Sequence, residues 1–191
     1  MYAFTWSCSI ALVLIVVFVL LVRKNLTGFL RDKSTLPVEQ RSFSLASTIT
    51  FYWTAIIILS VCYIGIVDDN LPKIDNGVLI LMGIVAATTT AGKVIDANQS
   101  VDKTITRSQD TTESAGFLND ILSDSNGISV SRFQTIMFNL IYGCAFVAIV
   151  ATQHVLYNFP TETLTLLGIS SGAYALLKIP ENTAPTVNPQ P

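Results

Sequence analysis

The sequence predicts an all-α protein, a polytopic transmembrane helical bundle of about five spans that contains a parallel internal repeat of two helical hairpins. Three observations lead there. Of 191 residues, 51% are apolar and only 13% charged, where soluble domains carry about 25% charged residues. The mean hydropathy is +0.56, and the apolar residues lie in blocks near the ~20 residues that cross ~30 Å of hydrocarbon. Third, the chain aligns with itself at an offset of 85 residues. A net charge of −2 offers no electrostatic grip on nucleic acid.

The first span covers residues 3–22, with an unbroken apolar core at 10–22. No Lys or Arg precedes it, and Arg23-Lys24 stands where a signal peptide would have its small-residue cleavage site, so it reads as a retained helix. The second span runs over 45–67, with Ser44 or Ser47 able to cap its start. The third covers 77–93, after the turn Asp68-Asp69-Asn70-Leu71-Pro72. The fourth covers 133–152, capped by Ser129 or Ser131, and the short fifth covers 163–178, ended by Pro180. In domain terms these are an N-terminal helix (1–24), a basic cytoplasmic loop (25–42), a first hairpin (43–96), a cytoplasmic linker (97–127), a second hairpin (128–181) and a disordered tail (182–191).

Charge orients the spans. Arg23, Lys24, Arg31, Lys33, Arg41, Lys93, Lys103, Arg107, Arg132 and Lys178 fall on one side, and Lys73 alone on the other. Basic loops face the cytoplasm, which puts the N-terminus outside and the C-terminus inside. Tyr2, Phe4, Trp6, Tyr157 and Phe159 then belong to the outer aromatic belt.

At the 85-residue offset no gap is needed from 43 to 181, and 10 of 54 aligned pairs are identical. Four of these lie where Leu79-Ile80-Leu81-Met82-Gly83-Ile84 meets Leu164-Thr165-Leu166-Leu167-Gly168-Ile169. Each copy crosses twice, so both keep one orientation and form parallel repeats about an axis along the membrane normal. Small residues four apart, Gly83, Ala87 and Ala91 in one copy and Gly168 and Gly172 in the other, make flat strips for close helix packing. Such strips serve packing within a subunit or, with Thr88, Thr89, Thr90, Ser170 and Ser171, the lining of an oligomeric pore.

Residues 97–114 are polar and read as a linker. Phe117, Leu118, Ile121 and Leu122 then make a one-sided apolar stripe at helical spacing, stopped by Asn126-Gly127, on a helix that lies on the membrane surface or against a partner. Asp124-Ser125-Asn126-Gly127 is no calcium loop, because Leu122 occupies a ligand position of that register. Cys8, Cys62 and Cys144 are scattered in apolar stretches and His154 is the single histidine, a set that builds no metal site. His154, in an outer turn, is solvated or hydrogen bonded. No Asp, Glu, Lys, Arg or His lies mid-span, which weighs against a proton-coupled transporter. No nucleophile–base pair, phosphate-binding loop or dinucleotide fingerprint appears, so neither a catalytic site nor a cofactor is expected. Lys93 and Lys178 read as snorkelling helix ends, each paired with the acid three residues on, Asp96 and Glu181.

Three stretches carry a resemblance: Gly116-Phe117-Leu118-Asn119-Asp120-Ile121-Leu122-Ser123-Asp124, Ser129-Val130-Ser131-Arg132-Phe133-Gln134, and Leu167-Gly168-Ile169-Ser170-Ser171-Gly172. Over residues 41–181 the chain resembles a widespread family of small bacterial integral membrane proteins with a duplicated helical hairpin. The first copy departs from that pattern: Ser44-Leu45-Ala46-Ser47 lacks the arginine, Ile49 replaces glutamine and Val85 replaces serine. The resemblance implies the fold and a bacterial inner membrane, and it carries no activity with it. The expected function is a non-enzymatic membrane subunit, a homo-oligomeric scaffold or anchor in the lipid bilayer. It presents Phe117, Leu118, Ile121, Leu122, Arg132 and Gln134 to a cytoplasmic protein partner. The alternative is a pore-forming or ion-channel subunit with a Ser/Thr/Gly-lined path.

Overall fold

The computed structural model describes residue 9 and residues 28–101, 107–124 and 127–183. The first span, Lys103, Asn126 and the tail from 184 onward lie outside the described residues. Four long helices form the body: α1 (Leu45–Val67), α2 (Asn76–Val101), and, after a connecting segment, α5 (Val130–Gln153) and α6 (Thr161–Thr183). The connection holds two short helices, α3 (Ser108–Thr111) and α4 (Phe117–Leu122). A minimal antiparallel hairpin follows, β1 (Ser123–Asp124) with β2 (Gly127–Ile128), pairing Ser123 with Ile128. α1, α2 and α5 are each long and apolar enough to cross a membrane. α6 is as long as α1, at 23 residues, but less apolar.

Local chemistry explains most boundaries. Ser44 caps α1 by accepting the Ser47 N–H at 3.5 Å, satisfying one of the amides a helix start leaves open. Ser129 holds the same position before α5, but its hydroxyl meets that of Ser131 at 3.2 Å instead of a helix amide. The two hairpins share a register: α1 and α5 start 85 residues apart, and so do α2 and α6. The left-handed residues Asp69 (φ 52°) and His154 (φ 54°), each just past a first helix, keep the same interval.

Three boundaries differ from the sequence expectation. α2 continues beyond Lys93 to Val101, so 97–101 is helix and not linker. α6 runs through Pro180 to Thr183, because a proline forfeits one helical N–H and does not by itself end a helix already propagated. α4 stops at Leu122, where Ser123 turns extended (ψ 151°), and Gly127 (φ 109°) serves the strand turn instead.

The four long helices form a ring. α1 packs on α2 and on α5, and α6 packs on α5 and on α2, so first helix meets first helix and second meets second. The ring interior is filled. Trp53, Phe146, Leu81, Leu45 and Leu167 are each at most 1% exposed. Phe159, expected in the outer belt, is only 3% exposed, with its ring edge-on to Trp53 at 5.7 Å and stacked with Phe146 at 5.8 Å. The non-helical segment after His154 turns this ring back into the bundle, and Tyr157 packs against it at 4.9 Å.

That return depends on Gly77 in the first turn of α2. A Cβ there would lie 2.8 Å from the Phe159 nitrogen and 3.2 Å from its carbonyl oxygen, both backbone atoms. Gly77→Ala is therefore expected to cost about 1–3 kcal/mol, as overpacking does. A lowered unfolding midpoint in mixed detergent micelles would register it. Gly83→Ala, where nothing described lies within 4 Å of the added carbon, should not lower the midpoint, since alanine favours a helix interior over glycine.

Candidate functional site

The start of α1, the end of α2, the start of α5 and the end of α6 share one end of the bundle, and the described basic residues other than Lys73 gather there. At its centre Lys178 of α6 reaches across to α2, its Nζ 2.7 Å from Asp96 Oδ2 and 3.6 Å from Asp32 Oδ2. Lys178 is 5% exposed and Asp96 6%. The other Asp96 oxygen accepts from Gln109 Nε2 at 2.9 Å, and its backbone carbonyl accepts from Arg107 Nη1 at 3.3 Å. Asp96 therefore ties together the two hairpins and the connecting segment. The sequence expectation paired each lysine with the acid three residues along its own helix. Lys178 instead crosses between hairpins and is buried, so it does not snorkel, while Lys93 is exposed with Nζ 5.9 Å from the Phe29 ring centroid.

The connecting segment folds over this end as a cap. The Ser34 hydroxyl donates to the Gln109 carbonyl at 2.5 Å, the Thr35 N–H to Asp110 Oδ1 at 2.8 Å, and the Ser114 N–H to the Gln40 carbonyl at 2.8 Å. Asp120 accepts from the Phe43 N–H (3.0 Å), the Ser114 hydroxyl (2.6 Å) and the Ala115 N–H (2.9 Å). Phe43 and Phe117 meet edge to face at 5.2 Å. Arg132 donates to the Asp120 carbonyl at 3.2 Å and lies over the Tyr174 ring.

Burial works to raise the Asp110 pKa, but the Thr35 N–H, the Arg107 guanidinium at 2.6 Å and the Ser34 hydroxyl outweigh it and hold the carboxyl below its ordinary range. A pKa lowered by folding favours the docked cap at all pH above the unfolded carboxylate value of about 3.9, and the benefit fades as pH falls through the lower folded value. A spin label at the exposed Thr112 is expected to keep one mobility from about pH 8 to 5 and to loosen only below about 4. Asp110→Asn should loosen it at every pH.

Two clefts flank the cluster. One, of ≈ 470 Å³, opens between residues 28–35, the start of α1 and the end of α2. Five cationic side chains (Arg31, Lys33, Lys93, Arg107, Lys178) and two carboxylates (Asp32, Asp96) stand in its wall. The other, of ≈ 330 Å³, lies under the cap, with Arg132 and again Lys178 in its wall. Arg31 stacks over Phe43 at 4.2 Å and donates Nη1 to the Arg41 carbonyl, while its buried Nε has no partner among the described residues. Among the described residues no trio of His, Cys, Asp or Glu could hold a metal ion.

The residues singled out from sequence are not brought to one place. Gly83 and Ala87, like Ala91, stay exposed on the outer face of α2, while Gly168 faces Ile84 of α2 and Gly172 is half-buried. Thr88 bonds its own helix at the Ile84 carbonyl. Thr89 joins Thr50 and the Ala46 carbonyl in the α1–α2 seam, and Thr90 is exposed. Ser170 and Ser171 are buried, with the Ser170 carbonyl accepting from Thr135 at 3.2 Å in the α5–α6 seam. Within one chain these hydroxyls line no common path. Of the partner-facing set, Leu118 (65%) and Phe117 (42%) are exposed, and so is Gln134. Ile121 is 5% exposed, Leu122 packs on the core and Arg132 turns into the cap. His154 is hydrogen bonded, its Nδ1 3.0 Å from Asp68 Oδ1, which joins the turns of the two hairpins.

Sequence reasoning missed Asp32, Gln109 and the Trp53–Asn139 pair, whose Nε1–Oδ1 distance is 2.6 Å. The one available signal was the self-alignment, which sets Lys93 against Lys178 and Asp96 against Glu181 and so places opposite charges at one level of the two hairpins. No family model, no curated protein and no solved structure matches the chain.

Proposed function

We propose that the chain is a non-enzymatic integral membrane subunit, an oligomeric scaffold that anchors a cytoplasmic protein partner through its cap. The observation that carries this reading is the cap itself. It is held by hydrogen bonds from residues 34–43 to residues 109–120 and from Arg107 and Gln109 to Asp96 of α2, yet it leaves Leu118 65% and Ile128 76% exposed. A held, partly apolar platform binds a partner without the ordering cost that a loose segment would meet. In this reading the bundle lies in a bacterial inner membrane with its basic end in the cytoplasm and the N-terminus outside, a placement the charge bias supports. The hairpins are copies of one ancestral unit, a view supported by their equal helix starts and matching left-handed residues. Self-association uses the open strip of Gly83, Ala87 and Ala91 on α2.

Cysteine accessibility and photo-crosslinking in cells test this together. Cysteines at Asp69 and Leu118 should label from opposite sides of the membrane. A photo-crosslinker at Leu118 should give a discrete protein adduct that Ile128→Glu abolishes, and one at Gln153 should not. Labelling from one side, or equal adducts from both positions, would overturn the reading.

A further inference from the structure

We propose that the ≈ 470 Å³ cleft at the basic end is a binding site for the phosphate group of an anionic ligand. Charge is the first argument. The two carboxylates in the wall, Asp32 and Asp96, are both engaged by Lys178, and Arg107 is engaged by Asp110. Among the described residues no carboxylate lies within ion-pair distance of Arg31, Lys33 or Lys93, so the wall keeps a surplus of positive charge facing an open volume. The Nε of Arg31, buried and without a partner among the described residues, leaves that guanidinium one acceptor short. Guanidinium and ammonium groups in that arrangement match the several acceptor oxygens of a phosphate.

Space is the second argument. Gly92 of α2 is buried, yet a Cβ placed on it would meet nothing within 4 Å. Gly92 stands in the wall of the cleft, and among the described residues no side chain fills the space beside it. Ser44 and Ser47 bring the positive end of α1 into the same wall, adding to the field without being its main source. The half-exposed Phe29 also borders the cleft, so the phosphate could arrive on a lipid headgroup or free in solution. The site does not rest on the anchor reading, because the face offered to a protein partner, Leu118 and Ile128, lies outside this wall.

The test uses the purified full chain in detergent, with native mass spectrometry counting retained lipid and equilibrium dialysis measuring inorganic phosphate. Phosphatidylglycerol should be retained over phosphatidylcholine by about tenfold, as charge-assisted contacts allow. Gly92→Phe, which fills the cleft, and Lys33→Gln, at an exposed side chain that folding does not need, should each remove most of that preference. An unchanged melting temperature would show that the fold persists. Saturable inorganic phosphate binding that the same variants abolish, with no lipid preference, would keep the site and assign it a soluble ligand. Absence of binding by either probe, or binding that survives both variants, would overturn the proposal.

Discussion

Replacing Lys178 by Met is expected to destabilise the bundle by about 3–5 kcal/mol, the range found when one partner of a buried ion pair is removed. The loss is large because of what stays behind. Asp96, 6% exposed, would keep its bond to Gln109 but lose its only cation within 3 Å, and Asp32 would lose the same charge at 3.6 Å. Asp32 is the more exposed of the two, so water can rescue it in part, and the greater share of the cost falls on Asp96. The double variant Lys178→Met, Asp96→Leu removes the stranded charge and should recover much of the stability, since apolar replacement of a whole buried pair is often neutral or better. Unfolding midpoints in mixed micelles read both. A single variant as stable as the parent, or a double variant whose loss is the plain sum of the singles, would show that the pair is not coupled.

This cluster also marks how far the amino-acid order could be read directly. The start of α1 is readable, because it depends on local chemistry: a serine ahead of an apolar run announces Leu45, whereas for α5 the apolar run suggests 133 and only one of the two candidate caps, Ser129, matches the observed start at Val130. The end of α6 was not, because the local cost of Pro180 was overridden by a helix already packed along α2 and α5. Ionic pairing went wrong for a related reason. An acid three residues after a lysine invites a local pair, and nothing in the order of residues reveals that Asp96 is instead met from 82 positions away. From sequence the cap reads as linker, since its docking uses single contacts, such as Ser34 to the Gln109 carbonyl and Ser114 to the Gln40 carbonyl, which leave no periodic trace. The stripe on α4 was correctly placed on a helix, but its apolar residues divide between the core (Ile121) and the open face (Leu118). Periodicity marks such a face without naming what covers it.

The second large effect is expected at Trp53, where Trp53→Ala should cost about 3–5 kcal/mol. Two contributions are combined there and can be separated. Between helices surrounded by hydrocarbon, burial brings little hydrophobic gain, so close packing and interhelical hydrogen bonds carry the association. Trp53 provides both: a ring at 0% exposure set edge-on to Phe146 and Phe159, and an indole N–H donated to Asn139 at 2.6 Å. Asn139 in turn donates to the Thr135 carbonyl one turn back, which fixes its oxygen toward the indole. Trp53→Phe keeps most of the ring contact and drops only the donor, and a single interhelical bond of this kind is worth about 0.6–2 kcal/mol. Asn139→Leu strands the indole N–H and should cost a similar amount, while the pair Trp53→Phe, Asn139→Leu should cost less than the two singles together, because neither polar group is then left alone. If Trp53→Phe proves as damaging as Trp53→Ala, the hydrogen bond and not the packing joins the two hairpins at this level.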